Sequence, residues 1–163
     1  ADIILLPEIP YDINKIVSAI AGRNKAGKGF TILAVAEGAI SKEDAKLSKK
    51  DLKEKMKNRK YPSVSYEVAA RIEEKIGSEV RVTVPGHTQR GGSPCPYDRV
   101  LCTRLGAAAA NLILKEDYGY MVGLINGNTK KVPLEEVAGK LKMVEPNSKI
   151  IKEAKLIGIS FGD

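Results

Sequence analysis

Only one histidine and two cysteines occur among the 163 residues. His87 has no second imidazole beside which to build a metal site. Cys95 and Cys102, seven apart with no further ligand pair, make neither a zinc site nor a disulfide framework. The thiols read as packing groups, and a reduced, cytoplasmic setting is the default. No serine-centred nucleophile elbow is present. No apolar run approaches the ~20 residues needed to cross a bilayer, so no membrane partner is expected. The N-terminus, Ala1-Asp2-Ile3-Ile4-Leu5-Leu6-Pro7, has no methionine, basic lead or small-residue cleavage site. It reads as a start inside a longer chain rather than as a signal peptide. Internal repeats and low-complexity linkers are also missing. What remains is ordinary for a globular chain long enough to bury one core: 43% apolar and 29% charged residues.

The net charge of +7 raises the question of nucleic acid. Between Lys42 and Lys60 stand nine basic and four acidic residues, so this stretch alone supplies +5. No aromatics that would stack on bases are interleaved with Lys49, Lys50, Lys53, Lys55, Lys57, Arg59 and Lys60. The segment reads as a solvated helix face and nucleic acid as an unlikely partner, with an electrostatic role toward an anionic ligand or an RNA as the alternative.

Along the chain, residues 2–6 read as a buried strand, and Asp12 caps a helix with Ile13, Ile16, Val17 and Ile20 on one face. Phe30–Ala36 is a second short strand that stops at Glu37-Gly38. Residues 41–60 are expected to be helical. Ser63 or Ser65 caps a helix that presents Val68, Ala69, Ile72 and Ile76 and closes at Gly77. Val80–Val84 alternates like a third strand. After a loop from Pro85 to Pro96, Tyr97–Leu114 reads as a well-buried helix. Tyr118–Ile125 and Thr129–Pro133 form a hairpin about Asn126-Gly127-Asn128. Leu134–Leu141 and Ser148–Ile157 are terminal helices. Short strands alternating with helices predict an α/β fold, Rossmann-like, with a mainly parallel sheet flanked by helices.

In such sheets ligands bind beyond the carboxyl ends of strands. Glu37 follows the second predicted strand and the Pro85–Pro96 loop follows the third. That loop holds His87, Arg90 and the glycines Gly86, Gly91 and Gly92 within seven residues. Glycines let backbone amides approach an anion, the guanidinium fork matches phosphate oxygens, and the imidazole adds a donor of shorter reach. The start of the next helix offers its positive end. A carboxylate such as Glu37 suits hydroxyls instead, so the set describes a sugar phosphate better than a nucleotide. The plainer readings are a loop histidine bonded to nearby backbone and a surface or capping role for Glu37.

Residues 86–99, Gly-His-Thr-Gln-Arg-Gly-Gly-Ser-Pro-Cys-Pro-Tyr-Asp-Arg, resemble the fructose-6-phosphate loop of the 6-phosphofructokinase family. The Gly-His-x-Gln-Arg-Gly-Gly core followed by x-Pro-x-x-x-Asp-Arg is highly specific. Pro7-Glu8, Ala34-Val35-Ala36-Glu37, Arg99 through Gly106-Ala107-Ala108, and the stretch from Leu156 to Asp163 match in order around it. The resemblance spans residues 1–163 apart from an insertion at about 40–62 relative to the shorter bacterial enzymes.

The resemblance implies the C-terminal, fructose-6-phosphate-binding region of a longer chain that phosphorylates fructose 6-phosphate to fructose 1,6-bisphosphate in glycolysis. It implies that His87 and Arg90 hold the 6-phosphate. Arg81 would reach the phosphate in the adjacent subunit's site, and Glu37 would bind the sugar hydroxyls. Lys28 resembles a basic residue of the bacterial allosteric nucleotide site, although Ala26 and Gly29 stand where further lysines are expected. Asp2 falls at an acidic effector-site position. The complete enzyme would use Mg2+ with ATP or pyrophosphate and form a homo-oligomer, a tetramer or dimer. The family's donor-phosphate loop and its Thr-Ile-Asp-Asn-Asp segment, which carries the catalytic base, do not occur here. The isolated chain is therefore expected to be inactive, with no catalytic residue of its own. Residues 97–133 are expected to pack on the missing N-terminal half, leaving an apolar surface at Leu101, Leu105, Ala109 and Leu112 that favours self-association. The alternative is a non-catalytic module that binds a sugar phosphate or other anion through the same loop.

Overall fold

β1 is Ile3–Leu5, an apolar run too short for a helix and buried from both sides. Ile3 and Leu5 face one apolar cluster and Ile4 faces another, so the strand lies between two layers. It runs parallel to β2 (Leu33–Val35), with Ile3 opposite Leu33 and Leu5 opposite Val35. Its other edge meets Ser160: the Ile4 N–H donates to the Ser160 carbonyl at 2.9 Å, and the Ser160 N–H donates to the Asp2 carbonyl at 3.1 Å. The computed structural model describes residues 1–163, which divide into two compact units. One comprises Ala1–Val84 and Met143–Asp163, the other Pro85–Lys142.

In the first unit, α1 (Ile13–Lys25) starts at Asp12, whose carboxylate accepts the Asn14 N–H at 2.8 Å. Ile13, Ile16 and Ile20, at helical spacing, turn into the core. They pack with Val64, Val68 and Ile72 of α3 (Val64–Ile76), which ends at Gly77 in the left-handed conformation. Ser63 occupies the N-cap position of α3, but its hydroxyl makes no cap hydrogen bond. On the opposite face of β1, Ile151 of α6 (Lys149–Leu156) packs with Ile9 and Phe161. The expectation for residues 41–60 resolves into a 3-10 turn at Asp44–Lys46 and α2 (Lys49–Lys57), split by Leu47 in extended conformation. Ser48 caps α2 through the Asp51 N–H, and no residue of α2 is buried, as a solvated face requires.

The sheet is smaller than predicted. Phe30 and Ile32 are exposed and only Leu33–Val35 pair. Residues 80–84 keep the alternating exposure of a strand at Val80, Arg81 and Val82. They pair with no strand, although the outer edge of β2 is open. The Val80 N–H instead donates to the Glu73 carboxylate at 2.7 Å.

In the second unit, α4 (Pro96–Leu114) begins with proline at its first turn, where the missing N–H costs nothing. β3 (Tyr120–Ile125) and β4 (Asn128–Pro133) pair antiparallel through Asn126-Gly127, both at positive φ, the two-residue turn that matches strand twist. The mainly parallel order expected is seen in the β1–β2 pair and the bridge of Ile3 to Ser160, and the hairpin is antiparallel as its turn predicts. The last predicted helix of this unit shrinks to the single turn α5 (Leu134–Val137), because Ala138 is extended and Gly139 is left-handed. None of the residues of α4 is buried, although its apolar periodicity alone reads as a well-buried helix. Leu101, Leu105, Ala109 and Leu112 are half-buried on the side facing the hairpin. The open apolar surface falls instead on Tyr97, Val100, Ile113, Leu114 and Tyr118. A helix apolar all round needs neighbours all round, and the hairpin covers only one side.

Two tests follow from the first unit's packing. Gly162 has φ +72°, and a methyl there would meet Tyr11 Cβ at 3.1 Å, Leu5 Cδ2 at 3.2 Å and Ile16 Cγ1 at 3.3 Å. Gly162→Ala is expected to lower unfolding free energy by about 2–4 kcal/mol, combining left-handed strain with overpacking. Gly158→Ala, with φ +89° and nothing within 4 Å, should cost only the backbone share, about 1–2 kcal/mol. Urea melts giving equal losses would refute the packing argument. Burial pushes the Tyr11 hydroxyl above its ordinary 10.0, and the Glu67 and Asp44 charges push the same way against Arg71. A pKa raised by folding stabilises below pH 10.0 and loses that contribution as pH rises through the folded value. Thermal midpoints of the native protein should fall more steeply above pH 10 than those of Tyr11→Phe; parallel slopes would exclude this linkage.

Candidate functional site

Glu37 stands on a tight turn directly after β2. The Ala36 N–H donates to the Leu5 carbonyl and the Ala39 N–H to the Ala36 carbonyl, each at 3.0 Å. Gly38 lies so close to Pro7 that a Cβ would meet its ring at 3.2 Å. The backbone under Glu37 is therefore fixed by β1 and by the chain just beyond it. The side chain itself is 74% exposed, and its one ion contact is Arg59, 3.8 Å away. Arg59 follows the end of α2, is only 18% exposed, and stands 3.9 Å from Glu67 on its other side. Sequence reasoning grouped Arg59 with the solvated lysines. Nothing in a run of like charges 22 residues from Glu37 marks the one cation that turns inward.

Arg81 lies in the extended segment after α3, exposed and paired with its neighbour Glu79 at 2.9 Å. A pair this open to water is a weak restraint, leaving the guanidinium available to another anion.

His87 and Arg90 belong to the second unit. Residues Gly86–Arg90 form a 3-10 turn, entered through Gly86 at φ +53° and closed by the Thr88 N–H to the Pro85 carbonyl and the Gly91 N–H to the Thr88 carbonyl, each at 3.1 Å. In a 3-10 turn residues three apart eclipse. His87 and Arg90 therefore share one face, and both are exposed. An exposed imidazole and guanidinium three residues apart on one short turn are a donor set that suits a phosphate. The positive end of α4 is already partly answered. Asp98 lies in its first turn and accepts a hydrogen bond from the Cys95 thiol at 3.2 Å, while Arg99 donates to the Pro94 carbonyl. The four acceptor candidates are thus divided two and two, Glu37 and Arg81 in the first unit, His87 and Arg90 in the second.

The two effector candidates do not meet in an ion pair. Asp2 is bound to Arg23 at 3.0 Å and accepts the Ile32 N–H at 2.8 Å. Arg23 also donates to Thr31 Oγ1 and the Phe30 carbonyl, so this carboxylate ties α1 to the approach to β2. Lys28 is exposed on the turn after α1. No three His, Cys, Asp or Glu side chains gather in a group that could hold a metal ion. No helix is long and apolar enough to cross a membrane.

Comparison with known proteins gives these features a family. The sequence model described as Phosphofructokinase matches residues 1–113. An ATP-dependent 6-phosphofructokinase from Spirochaeta thermophila is 51% identical over 162 residues, covering 99% of this chain and 44% of that protein. ATP-dependent 6-phosphofructokinase 2 from Clostridium perfringens is 43% identical over 164 residues, covering 100% of this chain and 45% of the relative. The chain thus spans less than half the length of these curated relatives. Among solved structures, the pyrophosphate-dependent phosphofructokinase from Nitrosospira multiformis superposes with a TM-score of 0.68 at 20% identity, covering 99% of this chain and 41% of that one, a likeness of fold. With the family pattern matched over more than two thirds of its length, the chain belongs to the phosphofructokinase family.

Proposed function

We propose that this chain is the acceptor-binding, C-terminal part of a cytoplasmic 6-phosphofructokinase acting in glycolysis. The complete enzyme transfers a phosphoryl group from ATP or pyrophosphate, with Mg2+, to the 1-hydroxyl of fructose 6-phosphate. The hydroxyl oxygen forms the new bond to phosphorus as the donor's bond breaks. Its proton passes to a base outside this chain. His87 and Arg90 hold the 6-phosphate, Glu37 accepts hydrogen bonds from sugar hydroxyls, and Arg81 serves the site of a neighbouring subunit in a homo-oligomer. Asp2 and Lys28 stand where an effector would be read.

The observation that supports this reading is the 3-10 turn that carries both His87 and Arg90, exposed, after a left-handed glycine. Such a turn offers two charge-assisted donors to a dianion without backbone rearrangement. The open apolar side of α4, from Tyr97 to Leu114, fits the reading as well. In a chain of the relatives' length it is the surface that the other half covers.

Titration calorimetry on the purified chain tests it. Fructose 6-phosphate should bind, and Arg90→Ala should weaken binding about 10- to 100-fold, the effect of losing hydrogen bonds to a charged group. Binding that survives Arg90→Ala undiminished would exclude the proposed phosphate grip. The same chain, supplied with ATP or pyrophosphate and Mg2+, should form no fructose 1,6-bisphosphate; measurable turnover would show that the base and donor site lie within it.

A further inference from the structure

We propose that Arg59, brought in by the basic segment after α2, is a positioning residue for Glu37. This inference rests on the acceptor reading of Glu37 given above.

The backbone of Glu37 is held by its turn, but a 74% exposed glutamate side chain has nothing packed around it to choose a rotamer. Its only ion contact is the Arg59 guanidinium at 3.8 Å. Arg59 has the opposite character. At 18% exposure it lines a cleft with Tyr11, Tyr61 and Val64, and Glu67, itself 21% exposed, stands on its far side at 3.9 Å. A guanidinium this sheltered has to be compensated, and two carboxylates flanking it do so.

The distances matter. Both lie beyond hydrogen-bond range. Arg59 attracts the Glu37 carboxylate without occupying its lone pairs, so the oxygens remain able to accept from hydroxyls. A direct bidentate pair would have consumed that capacity. The arrangement works as an electrostatic tether that narrows the conformations of Glu37 before a ligand arrives, reducing the ordering cost of binding. Conversely, a sugar hydroxyl bonded to Glu37 leaves the tether intact.

Calorimetry with two ligands tests this on the full chain. Arg59→Ala should weaken fructose 6-phosphate binding about three- to fivefold, the upper part of the range for an ion contact with an exposed partner. Binding of inorganic phosphate, which does not need Glu37, should be unchanged. Glu37→Gln combined with Arg59→Ala should be no weaker than Glu37→Gln alone, since the arginine acts through the glutamate. Should Arg59→Ala fail to fold, Arg59→Lys keeps the charge and most of the stem, and is expected to lose about two- to threefold for the sugar phosphate only. Equal losses for both ligands, or effects of the two substitutions that multiply, would overturn the tether while leaving the acceptor reading in place. Unchanged sugar-phosphate affinity in Glu37→Gln would remove the acceptor reading itself, and the tether with it.

Discussion

Both edges of β1 are occupied, and the first unit is organised around that double pairing. β2 bonds one edge; Ser160, near the far end of the chain, bonds the other. The pairing brings Phe161 and Gly162 back over the start of the sequence, where the Asp12 N–H donates to the Gly162 carbonyl at 2.7 Å and the α1 cap begins. Buried strand amides cannot be left without partners. The return of residues 159–162 is therefore a condition of the unit's core rather than an ornament at its end. The turn holding Glu37 depends on the same strand, since the Ala36 N–H is bonded to the Leu5 carbonyl.

The second unit works by a shorter rule. The juxtaposition of His87 with Arg90 requires only five residues in a 3-10 turn and a glycine able to enter it. No long-range contact is needed to align the two side chains with each other. The carboxylate candidate, by contrast, needs a parallel pair, a turn and a close approach to Pro7 before its backbone is placed. Two halves of one proposed chemistry thus rest on different kinds of order, one local and one built from distant segments.

The difference decides what could be read from the sequence. The Gly-rich loop around His87 and Arg90 announces itself because its chemistry and its geometry lie in one short window. Helix faces at Ile13–Ile20 and Val68–Ile72, and the Asn126-Gly127 hairpin, are visible for the same reason. Burial is not legible where it depends on partners. The apolar periodicity of α4 gives no sign that only the hairpin covers it, and the valines of residues 80–84 alternate like a strand although they pair with none. The 41–60 segment was rightly placed in solvent as a whole. Of its nine cations only Arg59 is sheltered, and charge pattern alone does not distinguish it.

That difference has a physical cause. The lysines of α2 cost little where they are, because charges in water are well solvated and screened. Lys55 pairs with Asp44, and the remaining ammonium groups need no partner. Arg59 lies beyond the helix end, where the chain bends back over Tyr11 and Val64, and shelter from water there makes compensation obligatory. Of the two carboxylates beside it, Glu67 is held on α3, while Glu37 reaches it from an open turn. The sheltered partner secures the arginine, and the exposed one is left restrained but unspent. A basic segment that sits almost wholly in solvent thus makes one contact with the carboxylate at the end of β2.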